Sequence, residues 1–394
     1  MTTPRVLLAG AVRTPIGRFG GSLAGTTAAH LGGVVAAAAL ERAGVPRDAV
    51  DEVLFGHARQ AGNGPNLARQ VVRRAGLPDT VPAHTLNKAC ASGLQAIVSA
   101  AQGVRLGEAD ALVAGGVEHM TSIPYLATNA RWGQKLGDMP LVDAMYKDGY
   151  LCPLCDRLMG ETSETLADEY KITRAEQDAY AVESHRRAAA AWDSGAFARE
   201  VVAVSVGEGK RAVTLERDEN VRADANVASL AKLPPVFRKD GTITAGNASA
   251  ITDGAAALVV LSERAAARHN ITPQAVLLGV VSVGMDPARM GLGPVPAVRK
   301  LLERHALSLA DIGVVELNEA FASQVLACDR ELHFDRERLN PNGGGIALGH
   351  PTGCSGTRIV VALIHELHRR GSRYGLATLC VSGGQGMAVL VERV

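Results

Sequence analysis

The sequence predicts an α/β protein with two similar halves, each containing a mixed sheet, and an inserted loop domain between them. Three observations support this fold class. Strand-like and helix-like segments alternate, part of the chain repeats an earlier part, and the composition changes between the two copies. The length of 394 residues fits two or three domains of ~150 residues, or one large duplicated domain.

Short β-branched runs predict strands, and the Ala- and Leu-rich stretches between them predict helices. Because the two kinds of segment alternate, we expect largely parallel or mixed sheets covered by helices. Strands are expected within Met1–Gly10 and at Val53–Phe55, Ala83–Leu86, Ala111–Ala114, Ala257–Leu261, Gly279–Val283, Val314–Leu317 and Leu376–Val381. Helices are expected at His30–Ala43, Ser92–Leu106 and Thr357–Arg370.

An internal repeat becomes visible when the chain is compared with itself at a nearly constant offset, which is 262 residues for the first matching segment. Three features align in order: a Leu-Glu-Arg sequence followed by a strand, a Ser-Gly pair that opens a helix, and a Gly-Gly pair that ends the next strand. Such ordered matches predict a duplicated fold with a pseudo-twofold axis. The matching segments are Leu40–Arg42 with Leu302–Arg304, Ser92–Gly93 with Ser355–Gly356, and Gly115–Gly116 with Gly383–Gly384.

The segment between the two copies differs from both, since it is rich in proline and charge and holds both tryptophans. It includes one clear amphipathic helix at Arg174–Trp192, with Thr173 as its N-cap and Glu176 three residues later. We expect this segment to be an inserted loop domain that binds substrate. The expected division is 1–120 for the N-terminal half (completed by about 245–272), 121–244 for the insertion and 273–394 for the C-terminal half.

Composition narrows the classes of function. The 41 Lys and Arg against 40 Asp and Glu give a net charge of +1, so bulk charge favours neither nucleic-acid nor membrane binding. A hydrophobic content of 47% excludes a disordered chain. Six cysteines are too few for a disulfide scaffold, and no targeting signal stands out. We expect a cytoplasmic protein with free thiols.

The first candidate for chemistry is Cys90, which lies directly before the helix predicted at Ser92–Leu106. A thiol at a helix N-terminus faces the positive end of the helix dipole and free backbone N–H groups. Both effects favour the thiolate, so the sequence predicts a pKa below the usual ~8.5. The alternative is that Cys90 is a small buried packing residue, which is the commoner role of a single cysteine.

A second candidate is the glycine-rich segment Asn340–Gly356, in which Pro351 fixes the chain directly after His350. A histidine held in this way can act as a general base or as a hydrogen-bond donor to an oxyanion. The alternative is a phosphate-binding loop with an incidental histidine. No lysine follows in the Walker pattern, and no G-x-G-x-x-G motif follows a strand, so nucleotide binding is less favoured.

Two further candidates follow predicted strands. Cys380 lies at the end of Leu376–Val381, where α/β folds place functional side chains, and the repeat assigns it to the opposite half from Cys90. Asn318 follows Val314–Leu317 and is suited to hold a water or an oxyanion. The alternatives are a buried strand cysteine and an ordinary turn-forming asparagine.

Four motifs together are more specific than any one of them. The sequences NKACASGLQAI, NEAFA, GGGIALGHPTGCSG and CVSGGQG begin at positions 87, 318, 343 and near 380, in that order. They resemble the thiolase family, and the resemblance extends from Val12-Arg13-Thr14-Pro15 to the C-terminus. It implies a thiolase-like fold, with duplicated mixed-sheet halves packed around central helices and a CoA-binding loop domain. It also implies reversible acyl transfer between CoA thioesters.

The resemblance implies a role for each catalytic residue. Cys90 is the nucleophile that accepts the acyl group, and His350 activates it and donates a hydrogen bond to a thioester oxygen. Cys380 is the acid/base that moves the α-proton of the second acyl-CoA. Asn318 positions a water that completes an oxyanion hole with His350. A second hole comes from the backbone N–H groups of Cys90 and Ser382.

The resemblance also implies substrate contacts. Ser249 bonds the pantetheine amide, and Arg222 lies near the adenosine phosphates. Phe237 and Leu233 flank adenine or pantetheine, while the acyl pocket is lined by Met159 and Phe321. Members specialised for acetoacetyl-CoA often have His where this chain has Leu158, which leaves room for longer 3-oxoacyl chains.

Other expectations follow from the same resemblance. Neither a metal nor an organic cofactor is needed, because the CoA thioesters are substrates. Family members form dimers or tetramers, so we expect a homodimer or a homotetramer. Two alternatives remain open: a decarboxylating condensing enzyme of the ketoacyl-synthase type, which would not need Cys380, and a non-catalytic thiolase-like lipid carrier. Cys152 and Cys155 have redox-motif spacing, but loop packing is the favoured interpretation.

Overall fold

The computed structural model describes residues 4–207 and 212–394. One large ten-stranded sheet dominates it, and six short strands form three separate two-stranded ribbons. The strands are β1 (Val6–Arg13), β2 (Gly17–Arg18), β3 (Glu52–Gly56), β4 (Ala83–Leu86), β5 (Ala111–His119), β6 (Tyr125–Leu126), β7 (Val142–Asp143), β8 (Leu151–Cys152), β9 (Arg157–Leu158), β10 (Val204–Val206), β11 (Val213–Leu215), β12 (Thr252–Ser262), β13 (Ala275–Gly284), β14 (Ile312–Leu317), β15 (Tyr374–Val381) and β16 (Gln385–Arg393).

The helices lie on both faces of the large sheet and in the segment between its halves. Their lengths range from single turns to long amphipathic or fully buried helices. They are α1 (Ala28–Ala43), α2 (Leu67–Arg74), α3 (Ser92–Leu106), α4 (Met159–Glu169), α5 (Arg174–Asp193), α6 (Val227–Leu230), α7 (Glu263–Arg268), α8 (Pro294–Arg304), α9 (Ala322–Leu332), α10 (Gly345–Leu348) and α11 (Thr352–Arg370).

The strand order shows the duplication directly. The sheet runs β14-β15-β16-β13-β1-β12-β5-β3-β4, with β2 paired to β12. Reading outward from the centre, β1-β12-β5-β3 corresponds to β13-β16-β15-β14, and in each set the first two pairings are antiparallel and the third is parallel. In the described part of the large sheet, the pairs Leu7 with Val276 and Leu8 with Ala275 join the central strands β1 and β13 of the two halves. The predicted duplicated, mixed α/β fold is confirmed.

Helices α3 and α11 form the central layer. They contact each other and strands of both halves, and the core between them draws residues from β5, β12, β15 and β16. Helices α1 and α2 cover the outer face of the first half, and α8 and α9 cover that of the second. Because helix α11 contacts both halves, 15 of its 19 residues are buried. They include Arg358, which forms an ion pair with the buried Glu316.

Two expectations about element boundaries are wrong. Gly115 and Gly116 do not end a strand, since β5 continues to His119; they lie inside it because Phe55 and Gly353 approach their α-carbons too closely for a side chain. The segment before Thr357 is not all loop, because α11 begins at Thr352. The predicted capping box of Thr173 and Glu176 is present at the start of α5.

The N-termini of α3 and α11 cross at a contact made by glycines. A Cβ on Gly93 would lie 2.8 Å from the carbonyl oxygen of Gly353, and a Cβ on Gly353 would lie 2.4 Å from that of Val117. A Cβ on Gly356 would lie 2.5 Å from the backbone nitrogen of Leu94. A side chain at Gly93 or Gly356 would separate the two helices, and one at Gly353 would push α11 away from β5, so the glycines set these distances.

The segment between the halves contains the three small ribbons and helices α4 to α6. Helix α4 packs against α9, while α5 packs against α9 and α10, so the segment is attached mainly to the second half. Its ribbon β8–β9 turns the chain back directly before α4. In the described ranges, no helix is both long and apolar enough to cross a membrane.

We predict that Gly93→Ala lowers the free energy of unfolding by about 1–3 kcal/mol, because the new methyl group must push α11 away. Gly103→Ala in the same helix is the matched control. Its Cβ would meet atoms no nearer than 3.9 Å, so the higher helix propensity of alanine should stabilise the protein by about 0.5–1 kcal/mol. Urea unfolding measures both; equal effects would contradict the assigned contact.

Candidate active site

A cavity of about 510 Å³ lies where the two halves and the inserted segment meet. Its wall is mostly apolar with a few convergent polar groups, as expected of a small-molecule site. The predicted residues in this wall are Cys90, Met159, Arg222, Phe237, Ser249, Phe321, His350, Cys380 and Ser382. Residues from the three parts of the chain therefore meet at one site.

A strained turn presents Cys90 to the cavity. Ala89 has a φ of +46°, which is uncommon for a residue with a side chain. The hydroxyl of Ser92 holds this turn, because it accepts from the backbone N–H of Lys88 at 2.8 Å and donates to the carbonyl of Ala89 at 2.7 Å. Helix α3 begins at Ser92, so Cys90 lies just outside its first turn.

The predicted lowering of the Cys90 pKa is wrong for the protein without substrate. Burial raises the pKa of this thiol above its ordinary value of 9.0 and outweighs the opposing effects. Those effects come from the guanidinium of Arg59 and the backbone N–H groups of Ser382 and Cys90 itself. The resting nucleophile is therefore a thiol, and it needs a base.

His350 is held in the tautomer that a base requires. The hydroxyl of Ser355 donates its only proton to the carbonyl oxygen of Pro351 at 3.0 Å, so it accepts from Nδ1 of His350 at 2.6 Å. The lone pair is thus on Nε2, which has no partner among the described residues. Burial, followed by the charge of Arg59, lowers the pKa of His350 to about 3, so the ring is neutral.

Cys380 lies near the end of β15, and Ser382 lies in the tight turn between β15 and β16. Both residues line the cavity. Gly383 and Gly384 both have a positive φ, and a Cβ on Gly384 would lie 2.4 Å from the carbonyl oxygen of Met285. Burial, followed by the nearby Cys90, raises the pKa of Cys380 well above its ordinary value. The turn therefore places a second thiol beside Cys90 and directs the Ser382 N–H toward the Cys90 sulfur.

Two predicted residues lie outside the cavity wall. Asn318 is 0% exposed, follows β14, and has no hydrogen-bond partner for its side-chain amide among the described residues. Its oxygen lies near Gly345 of α10, five residues before His350. Leu233 packs instead against Gly246, beside Leu230.

The remaining predicted substrate residues surround the cavity. Phe237 and Phe321 contact each other edge to face, with ring centroids 5.9 Å apart. Gly160 permits this packing, since a Cβ there would lie 2.3 Å from the Phe237 ring. Ser249 is half-buried, and its backbone N–H donates to Ala320. Met159 is buried, and Leu158 also lines the wall.

The exposed end of the cavity holds Arg222. Its side chain is solvent-exposed, while its backbone N–H donates to Nδ1 of His185 at 3.1 Å. Arg18, which sequence reasoning did not single out, is also exposed there. Two cations thus stand where the cavity meets solvent.

Sequence reasoning missed a buried polar cluster in the deep wall. Glu118 accepts from His57, from the hydroxyl of Thr352 at 2.7 Å and from three backbone N–H groups. Burial opposes ionisation of Glu118, but the charge and hydrogen bond of His57, then the charge of Arg59 and the Thr352 hydroxyl, lower its pKa to about 2. Arg59 donates to Thr352 and lies over the ring of Tyr150, with 4.7 Å to the centroid. The signal was available, because Arg59 closely follows a predicted strand.

The described residues include no group of three or more His, Cys, Asp and Glu side chains arranged to hold a metal ion. The cavity wall presents two thiols, an imidazole, backbone N–H groups and a buried guanidinium. Such a set is suited to acyl transfer through a covalent cysteine intermediate.

Comparison with known proteins agrees with this class. The chain matches the thiolase N-terminal domain over residues 6–264 and the thiolase C-terminal domain over residues 271–393. The chain belongs to the thiolase family. It is 49% identical to an acetyl-CoA acetyltransferase of Escherichia coli, over 98% of this chain and 99% of that protein. A beta-ketoadipyl-CoA thiolase of Pseudomonas putida is 47% identical, over 99% of both chains.

The fold also matches a solved relative. The structure of human mitochondrial 3-ketoacyl-CoA thiolase in complex with CoA superposes with a TM-score of 0.96 at 43% identity. The alignment covers 100% of this chain and 98% of that one. The thiolase-like fold predicted from the motifs is confirmed.

We predict that Ser355→Ala lowers kcat/KM by about 10- to 100-fold, because Nδ1 of His350 loses the acceptor that fixes the tautomer. The rate of Cys90 alkylation by iodoacetamide should fall as well, since it reports thiol deprotonation without CoA. Ser163→Ala, which breaks a buried hydroxyl pair with Ser323 away from the cavity, is the control. Normal alkylation in Ser355→Ala would refute the positioning role.

The pKa of His350 predicts a loss of stability in acid. The folded pKa of about 3 lies below the usual ~6.5, so the unfolded chain binds the proton first as the pH falls. Protonation of His350 in the unfolded chain therefore lowers the free energy of unfolding by about 2 kcal/mol at pH 5, relative to pH 7 or above. Unfolding of wild type and His350→Asn at pH 5, 7 and 8 should show a difference that shifts by this amount only below pH 7. If the difference in unfolding free energy between wild type and His350→Asn is the same at all three pH values, the lowered pKa of His350 is excluded.

Proposed function

We propose that this protein catalyses reversible acyl transfer between CoA thioesters: thiolysis of a 3-oxoacyl-CoA by CoA, or condensation of two acetyl-CoA molecules. The observation that carries the proposal is the meeting of Cys90, His350 and Cys380 in one cavity from three distant motifs. Family membership and the relatives' acyltransferase names support the same reaction. A bound CoA in a related thiolase supports CoA as substrate.

Thiolysis begins with proton transfer from Cys90 to the Nε2 lone pair of His350. The thiolate then attacks the 3-oxo carbon, and the developing oxyanion accepts hydrogen bonds from His350 and from a water held by Asn318. The bond between the second and third carbons breaks, and its electron pair forms the enolate of acetyl-CoA. Cys380 protonates that carbon, which leaves an acyl group on Cys90.

The second half-reaction releases the acyl group. The thiol of free CoA gives its proton to the deprotonated Cys380 and attacks the acyl-Cys90 thioester. Backbone N–H groups of Cys90 and Ser382 stabilise the oxyanion, and Cys90 departs as thiolate. In condensation the same steps run in reverse, with Cys380 removing the α-proton of the second acetyl-CoA. None of these steps uses a metal or an organic cofactor.

We assign the cavity mouth to the CoA moiety. Arg222 faces solvent where phosphates would enter, and Ser249 and Phe237 line the same cavity. Leu233 lies outside this wall and packs against Gly246, so its contribution is indirect. Met159 and Leu158 line the acyl end, which allows acyl groups larger than acetyl.

The two alternatives are less favoured. A decarboxylating condensing enzyme would not need a second cysteine beside the nucleophile, yet Cys380 lies in the same wall as Cys90. A non-catalytic carrier would not need a neutral histidine with an unpartnered Nε2 in that wall. We further propose a cytoplasmic homo-oligomer. Association is supported by exposed apolar side chains of the inserted segment, such as Trp132 and Leu136.

The two cysteines are separable by experiment. Cys90→Ala should form no acyl-enzyme and show no turnover. Cys380→Ala should still accept an acetyl group from acetyl-CoA onto Cys90, detected by protein mass, but lose at least ~100-fold in condensation and thiolysis. Cys354→Ala, a buried cysteine outside the cavity wall, is the control and should keep both activities. An acyl adduct that persists in Cys90→Ala would overturn the assignment.

A further inference from the structure

The proposed mechanism leaves one charged group of the cavity wall unused. Arg59 is only 3% exposed, lines the same cavity as Cys90, and lies near enough that its charge opposes the rise in the Cys90 pKa. Its guanidinium packs over Tyr150 and against Gly149, where a Cβ would lie 2.3 Å from Nη2. This contact fixes the guanidinium in one position.

No carboxylate among the described residues forms an ion pair with Arg59. Its one side-chain hydrogen bond goes to a neutral hydroxyl, that of Thr352 at 2.5 Å, and its Nε has no partner. The buried acid Glu118 already accepts five hydrogen bonds, from His57, Thr352 and three backbone N–H groups. Its pKa is lowered by the charges of both His57 and Arg59, so this one carboxylate is shared by two basic side chains. Burying a cation whose N–H donors have no acceptor costs free energy unless an anion pairs with it.

We propose that Arg59 binds a carboxylate at the far end of the acyl chain, so that the substrate class is 3-oxoacyl-CoA with a terminal carboxylate. This inference rests on the proposed function, because it places the acyl group on Cys90. We assign the CoA phosphates to the exposed end of the cavity, where Arg18 and Arg222 lie, and not to the buried Arg59. The anion that reaches the deep wall therefore belongs to the acyl group.

The position of Arg59 also limits the chain length. Because Arg59 and Cys90 line the same cavity of about 510 Å³, we expect the carboxylate to lie a few bonds beyond the carbonyl that Cys90 attacks. Tyr150 and Gly149 close the wall around the guanidinium, so a long alkyl tail would have to pass a buried cation. A short dicarboxylic acyl group, such as succinyl, satisfies both constraints through a charge-assisted hydrogen bond.

The experiment compares thiolysis of 3-oxoadipyl-CoA, which carries the carboxylate, with that of 3-oxoheptanoyl-CoA, which does not. Wild type should prefer the carboxylate substrate by at least ~10-fold in kcat/KM. In Arg59→Leu that ratio should fall to about 1 or below, and Arg59→Lys should restore part of it. Arg18→Leu, which removes a cation at the exposed end of the same cavity, should leave the ratio unchanged.

The outcomes separate this proposal from the proposed function. If wild type cleaves both substrates equally, or prefers 3-oxoheptanoyl-CoA, the carboxylate site is wrong while the thiolase activity stands. If Arg59→Leu changes both substrates by the same factor, Arg59 supports only Cys90 or the fold, and the proposal is overturned. If wild type cleaves neither substrate nor acetoacetyl-CoA, the proposed function itself fails. The wild-type comparison needs no variant, so poor folding of Arg59→Leu does not prevent the test.

Discussion

The close crossing of two central helices is the contact on which the rest of the site depends. Cys90 lies two residues before the start of helix α3, and His350 lies two residues before the start of helix α11. The two residues come from opposite halves of the chain. Glycine at 93 and 353 lets backbone meet backbone at this crossing. Since interiors are closely packed, one added methyl group here would move the nucleophile relative to its base.

The same burial that assembles the site keeps its groups uncharged. It raises the pKa of both Cys90 and Cys380 and lowers that of His350 to about 3. Charge thus develops during the reaction, at a place where the N–H of Ser382 and fixed hydrogen bonds are already oriented. Such preorganised groups act most strongly where water is excluded. Two neighbouring groups are exceptions: the carboxylate of Glu118, whose pKa is lowered to about 2, and the guanidinium of Arg59.

The duplication explains why the two halves of the large sheet resemble each other, and the inserted segment explains why the cavity is not symmetric. Each half supplies a central helix and a strand end, so equivalent positions face one another across the layer formed by α3 and α11. Between the halves, the inserted segment adds Tyr150, Met159 and Phe237, which close a cavity on one side only. A symmetric scaffold thereby holds a site whose two ends differ, with exposed cations at one and a buried guanidinium at the other.

By itself, the sequence determined the alternating α/β pattern, the repeat, and the four motifs that carry Cys90, Asn318, His350 and Cys380, because these signals are local in the chain. Only the tertiary structure decided the direction of the Cys90 pKa, since the loss of solvent around the thiol outweighs the helix terminus that the sequence displays. It also decided that Arg59 lines the cavity with its Nε unpartnered among the described residues, because burial and partners arise from residues far apart in the chain.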